Sequence, residues 1–126
     1  MARVLALVPD LLFGSRVQSM LAAEGHDVEL LSGEGALRAR LGSPAAVPAE
    51  LLVVDLTNDD LDGAGIVESL RAGGELEGIR TMGFYSHVDA LARERAEQAG
   101  FDLVVPRSRM AREGGQIATR LSTQGG

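Results

Sequence analysis

Leu51-Leu52-Val53-Val54-Asp55 sets four consecutive aliphatic residues against one terminal carboxylate. The run does not alternate, so both of its faces must be buried, and its Val and Leu content suits a central strand of a parallel sheet. An acidic polar loop follows at 57–62, then a helical segment over 63–72 with Ile66, Val67 and Leu70 on one side. The same strand-then-helix unit recurs outward in both directions. Upstream, Val4–Val8 is a second apolar run, broken at Pro9-Asp10. Phe13, Val17, Met20 and Leu21 then recur at helical spacing over 11–23, and Gly25 closes that helix. Asp27–Leu31 is a more polar strand, expected at the sheet edge, before a weak helix over 33–41 and a Pro/Ala loop over 42–50. Downstream, a glycine-rich turn at 73–78 leads to a fourth strand, Thr81–Tyr85. A helix over 88–99 places Val88, Leu91, Ala92, Ala96 and Ala99 on its apolar stripe, and Gly100 ends it. Leu103–Val105 is the fifth strand, and Ser108–Leu121 the last helix, which Gly114-Gly115 is expected to loosen.

Five strand–helix units with right-handed crossovers make a doubly wound α/β fold. The expected architecture is a five-stranded parallel sheet of order 2-1-3-4-5 in a flavodoxin-like three-layer sandwich. A single domain over 1–122 and a flexible tail over 123–126 are expected, with no fused output domain.

Composition narrows the functions. The chain has 126 residues, enough for one core, and is 45% hydrophobic but only 3% aromatic. There is no cysteine, which excludes disulfides, thiolate metal sites and cysteine nucleophiles. All twelve basic residues are arginine, so chemistry that needs a lysine is excluded. No segment reaches the roughly 18 apolar residues of a membrane span, and a cytoplasmic protein is expected. A net charge of −6 argues against nucleic acid as a direct partner. The charge is uneven: residues 1–79 carry a net −8 and residues 80–126 a net +2.

In such a sheet the functional crevice lies beyond the carboxyl ends of the strands. That directs attention to Val8-Pro9-Asp10, Asp55-Leu56-Thr57, Tyr85-Ser86-His87 and Pro106-Arg107-Ser108. A carboxylate on the most buried strand is costly without a partner. Asp55 is therefore either a functional group or a structural one, capping its loop or pairing with Arg107. Gly14-Ser15-Arg16 opens the first helix beside the crevice, where backbone N–H groups, the Ser15 hydroxyl and the Arg16 guanidinium offer donors to an anion; the alternative is that Ser15 is a helix-start residue and Arg16 a solvated one. No dinucleotide GxGxxG, Walker A or GxSxG pattern is present. His87 reads as a cap to the next helix, and with only His26 elsewhere there is no histidine metal cluster. Asp59, Asp60 and Asp62 form a solvated acidic loop without the later ligands of an EF-hand.

The block 51–56 with Leu61-Asp62-Gly63, Gly63 standing eight positions after Asp55, resembles the segment around the phosphorylated aspartate of response-regulator receiver domains. Ser86-His87-Val88-Asp89-Ala90 and Ala99-Gly100-Phe101-Asp102 resemble that family's fourth helix and its exit. The resemblance covers about residues 3–121 and implies the CheY-like fold, with Asp55 as the phosphoacceptor equivalent and a pocket of Asp10, Thr57, Tyr85, Ser86 and Arg107. The departures are equally specific. The positions of the Mg²⁺-holding acid pair are Val8 and Pro9, leaving only Asp10 beside them. The family's lysine is Arg107, its proline four residues after the aspartate is Asp59, and its aromatic switch residue is Val104.

The resulting expectation is a divergent or pseudo-receiver: a non-enzymatic signalling domain acting by protein–protein contact in a two-component-like pathway, without catalytic residues or a cofactor. Its contact face is expected on helix four, strand five and helix five, where Arg93, Arg95, Arg109, Arg112 and Arg120 lie, and the resemblance implies a homodimer there. Two alternatives stay open. One is a small-molecule or anion-binding domain using Ser15, Arg107 and Ser108. The other is a phosphorylatable stand-alone regulator, which alone would need Mg²⁺.

Overall fold

The computed structural model describes residues 2–44 and 46–123. Strands β1 (Arg3–Leu7), β2 (Asp27–Leu31), β3 (Leu51–Asp55), β4 (Arg80–Tyr85) and β5 (Leu103–Pro106) pair in parallel in the order β2-β1-β3-β4-β5. Between them run α1 (Leu11–Ala22), α2 (Glu34–Leu41), α3 (Gly63–Ala72) and α4 (Ala90–Ala99), and α5 (Arg107–Thr123) follows β5. This is the flavodoxin-like sandwich expected from the pattern of runs. All five residues of β3 are buried, while β2, at the edge, has none that is.

Side-chain alternation along the strands divides the core between the two faces. Leu51 and Val53 join Val4, Phe84, Val17 and Ile117 beneath α1 and α5. Leu52 and Val54 join Leu5, Leu7, Val67 and Leu70 on the opposite face, against α2, α3 and α4. Gly63 starts α3 hard against the end of β3. A Cβ there would stand 2.7 Å from the Val54 side chain and 3.3 Å from the Asp55 carbonyl oxygen. Close helix–strand packing is thus what a glycine eight residues after Asp55 permits.

Two expectations from helical spacing give way. The helix expected from Val88 begins at Ala90, because Asp89 caps it by accepting from the Ala92 N–H at 3.0 Å. Val88 and Leu91 are 79% and 76% exposed, and of the expected stripe only Ala96 and Ala99 are buried. In α5, Gly114-Gly115 does not loosen the helix, which is continuous to Thr123. Both glycines face α1. A Cβ at position 115 would lie 2.9 Å from the Met20 carbonyl oxygen, so the pair lets two helix backbones approach closely. Thr123 thereby belongs to α5, and the rest of the expected tail, 124–126, lies outside the described residues.

His26 follows the left-handed Gly25, which has φ +88° at the turn into β2. Its ring is buried, Nδ1 accepts from the Ala2 N–H at 3.1 Å, and Nε2 lies 2.8 Å from Thr119 Oγ1 on α5. Nδ1 can accept only in the neutral ring, and burial lowers the pKa from the ordinary 6.5. A depressed folded pKa means the unfolded chain takes up the proton first as pH falls. His26 therefore contributes its full stability above about pH 6.5 and loses it progressively as the pH drops towards the folded value. Urea midpoints measured from neutral pH downward should show this decline in the parent, and His26→Gln should remove that part of the slope.

Candidate functional site

The carboxyl ends of β1, β3, β4 and β5 open into a crevice beside the N-terminal ends of α1 and α5. Asp10 caps α1, its Oδ1 accepting from the N–H groups of Leu12 at 3.0 Å and Phe13 at 3.1 Å. Its Oδ2 lies 3.8 Å from Arg107 Nη2. Helix α5 begins directly at Arg107, without a loop after β5, which sets that side chain at the strand end. The Arg107 guanidinium carbon lies 4.1 Å from the Phe13 ring centroid, and Phe13 packs on Phe84 with centroids 5.0 Å apart. A column therefore rises from the core through two rings to a cation at the mouth.

Asp55 is 2% exposed. Its Oδ1 accepts from the Thr57 backbone N–H at 2.7 Å and from the Thr57 hydroxyl at 2.6 Å. The carboxylate thus closes the turn that leads to α3. No ion pair joins it to Arg107, which turns instead to Asp10 and Phe13. A hard divalent cation wants several oxygen ligands. Val8 is buried and apolar, Pro9 offers no carboxylate, and Asp10 and Asp55 are each committed to a turn. Among the described residues no group of three His, Asp or Glu side chains is placed to hold a metal ion. The donor set does not fit the Mg²⁺ site that the resemblance implies.

Beside Asp55 lies a cleft of about 560 Å³. Phe13 and Ala111 supply apolar wall, and Arg16, Thr57, Ser86, His87, Arg107 and Ser108 supply the polar lining. The structure thus brings Thr57, Ser86, Arg107 and Ser108 together. Asp10 lies outside the lining, 3.8 Å from Arg107, and Tyr85 is buried without forming part of the wall. Ser15 lines a neighbouring groove with Ser19 and Arg112, and Arg16 borders both that groove and the cleft. A signal for Arg16 was present in the sequence, since it sits one helical turn after Phe13.

The arginines expected on the α4–β5–α5 face are largely balanced by their own chain. Arg93 pairs with Glu97, and Arg109 and Arg112 both with Glu113, each at 3.7 Å. Arg95 reaches Asp62 at 2.8 Å and ties α4 to the cap of α3. That hydrogen bond, helped by the Gly65 N–H, holds the Asp62 carboxyl below its ordinary range.

No family model matches this chain, and no curated protein does. Solved structures do. A putative response regulator from Chloroflexus aurantiacus superposes with a TM-score of 0.84 at 12% identity, over 98% of each chain. A Francisella response-regulator receiver domain gives 0.83 at 13% identity, again over 98% of each. The receiver domain of a sensor histidine kinase from Pseudomonas aeruginosa, solved with a magnesium ion coordinated in its active-site cleft, gives 0.78 at 18% identity over 96% of this chain and 97% of that one. The fold is that of CheY-like receiver domains along nearly the whole length. No helix among the described residues is long and apolar enough to cross a membrane.

Proposed function

We propose that this receiver-fold chain is a pseudo-receiver, a non-enzymatic signalling module that works by protein contact while Asp55 serves as a structural anchor. One observation carries the reading: Asp55 Oδ1 takes both donors of Thr57, while the arginine at the position of the family's lysine is held on Asp10 and Phe13. Phosphoryl transfer relies on cations and charge clamps placed at the reacting oxygens. Here the clamp is turned aside and the acids for the metal are Val8 and Pro9.

The contact face belongs on α4–β5–α5, and a second copy of the chain is the simplest partner. A shallow groove of about 220 Å³ supports this, with Leu103, Ile117 and Leu121 along it and Arg109 and Arg120 at its edge.

Beryllofluoride with Mg²⁺, a mimic of the phosphorylated state, tests the proposal. Amide NMR spectra of the parent should show no saturable shift of crevice residues, matching the response of Asp55→Asn. Saturable shifts that vanish in Asp55→Asn would replace this reading with an active receiver.

A further inference from the structure

We propose that His26 is an acid-sensitive latch between the amino end of the sheet and the last turns of α5, and that its release in acid disturbs the groove of Ile117 and Leu121 on that helix. The second half of this inference rests on the contact reading given above; the latch itself does not.

Hydrogen bonding fixes the state of the ring. Nδ1 accepts from the Ala2 N–H at 3.1 Å, so the one ring proton sits on Nε2, 2.8 Å from Thr119 Oγ1. The Thr119 hydroxyl has acceptors for its own proton in the Gly115 carbonyl at 3.0 Å and Glu24 Oε1 at 3.3 Å. Every donor meets an acceptor, but only while the imidazole is neutral. A second ring proton sets Nδ1–H against the Ala2 N–H, donor to donor, and the ring or the strand end must move. Ala2 does not shift alone, because its carbonyl accepts from the Asp27 N–H at 2.9 Å, where β2 begins.

Thr119 carries that movement to α5. Among the described residues of 113–123, it is the one side chain that hydrogen-bonds to another element. Ile117 and Leu121, two residues to either side, are buried in the core and line the groove. Gly115, one turn before Thr119, lies against Met20 on α1, so the released segment begins after that contact.

The charges around the ring set the direction of the switch. Burial opposes protonation most, and the charge of the amino terminus adds to it. Glu24 after α1 and Glu50 before β3 favour protonation, and α5 faces the ring with the neutral Thr119. Asp27, next in the chain, is held by Arg3 at 3.0 Å. The balance lowers the pKa from 6.5, so the latch is fully closed above about pH 6.5 and opens as the pH falls towards the folded value. Glu24, already at the Thr119 hydroxyl, offers the released cation a carboxylate.

Amide hydrogen exchange on the full chain at about pH 7.5 and pH 5.5, corrected for intrinsic exchange rates, tests the latch. Protection over 2–8 and 116–123 should fall several-fold, up to about tenfold one pH unit below 6.5, while β3 and α3 keep theirs. His26→Gln, which keeps an acceptor and a donor without a charge, should lose this response, and its amide dispersion reports that it is folded. In Thr119→Val, 116–123 should be loosened alike at both pH values while 2–8 still responds. A fall shared by β3 and α3, an unchanged response in His26→Gln, or a pH-dependent 116–123 in Thr119→Val would overturn the latch. Sedimentation at the same two pH values tests the second half. Self-association of the parent should weaken in acid, and that of His26→Gln should not. Equal weakening in both would overturn the link to the groove. A chain monomeric at both values would overturn the contact reading and the link with it, while exchange still decides the latch.

Discussion

Phe84→Ala should destabilise the fold by about 3–5 kcal/mol, the usual cost of emptying an aromatic site in a packed core. Phe84 is completely buried near the carboxyl end of β4, next to Asp55 on β3 and Val105 on β5 in the ladders. The truncation removes more than transfer energy, because Phe13 packs on this ring and Arg107 stacks on Phe13. In a chain with four aromatic side chains, no other ring is available to fill the gap. A urea titration should show a large drop in midpoint with an unchanged slope. Phe84→Leu, which keeps much of the volume, should lose well under half as much. The crevice should loosen with the core, so amide signals of Phe13 and Arg107 should broaden in Phe84→Ala before global unfolding. A loss below about 1 kcal/mol would mean that the ring column is not packed as described.

Asp102→Ala is the second large effect, about 2–4 kcal/mol. Asp102 follows α4 at the entrance to β5 and gathers donors from across the sheet end. Its Oδ2 accepts from the Thr81 N–H at 2.7 Å, the Thr81 hydroxyl at 3.1 Å and Arg71 Nη2 at 3.3 Å. Arg71 also donates to the Thr81 hydroxyl at 2.8 Å. Thr81 is fully buried, so removing the carboxylate strands a backbone donor without water. The Asp102 side chain itself is 27% exposed, which screens the charge and keeps the figure below that of a fully buried pair. Asp102→Asn preserves an acceptor and should cost about 1 kcal/mol. A double-mutant cycle with Arg71→Gln should show coupling between the two sites, and strict additivity would contradict the network.

The network around Asp102 shows where reading a sequence stops. Phe101-Asp102 was legible as the exit from a helix, but Thr81 is 21 positions away and Arg71 31 positions away, and no local pattern joins them. His26 is similar: it reads as an isolated histidine until α5 brings Thr119 to its ring, 93 positions on. Gly114-Gly115 looks like a weak point in a helix because propensity is a local property. Its use as a close contact with Met20 exists only once α1 lies against α5. Val88 and Leu91 fail for the opposite reason, since helical spacing predicts a buried face only where a neighbour covers it.

At the crevice the division is finer. Val8 and Pro9, where the resemblance would put metal-holding acids, are plain in the chain, as is an arginine and not a lysine at position 107. The direction in which Arg107 turns is not, and it separates an Asp55–Arg107 ion pair from the observed stack on Phe13 beside Asp10. The choice of Arg16 over Ser15 for the cleft likewise depends on the rotation of α1 about its axis.

By itself the sequence determined the five strand–helix units, the central place of Leu51–Asp55, the edge position of Asp27–Leu31 and the residue types available at each strand end. These follow from periodicity and burial, which neighbouring residues impose on one another along the chain. Only the tertiary structure decided which donor Asp55 accepts, which side chains share the cleft and which arginines are neutralised. Those outcomes rest on contacts of a few ångströms between elements far apart in sequence. Their energies change steeply with distance and orientation, and no local pattern carries that information.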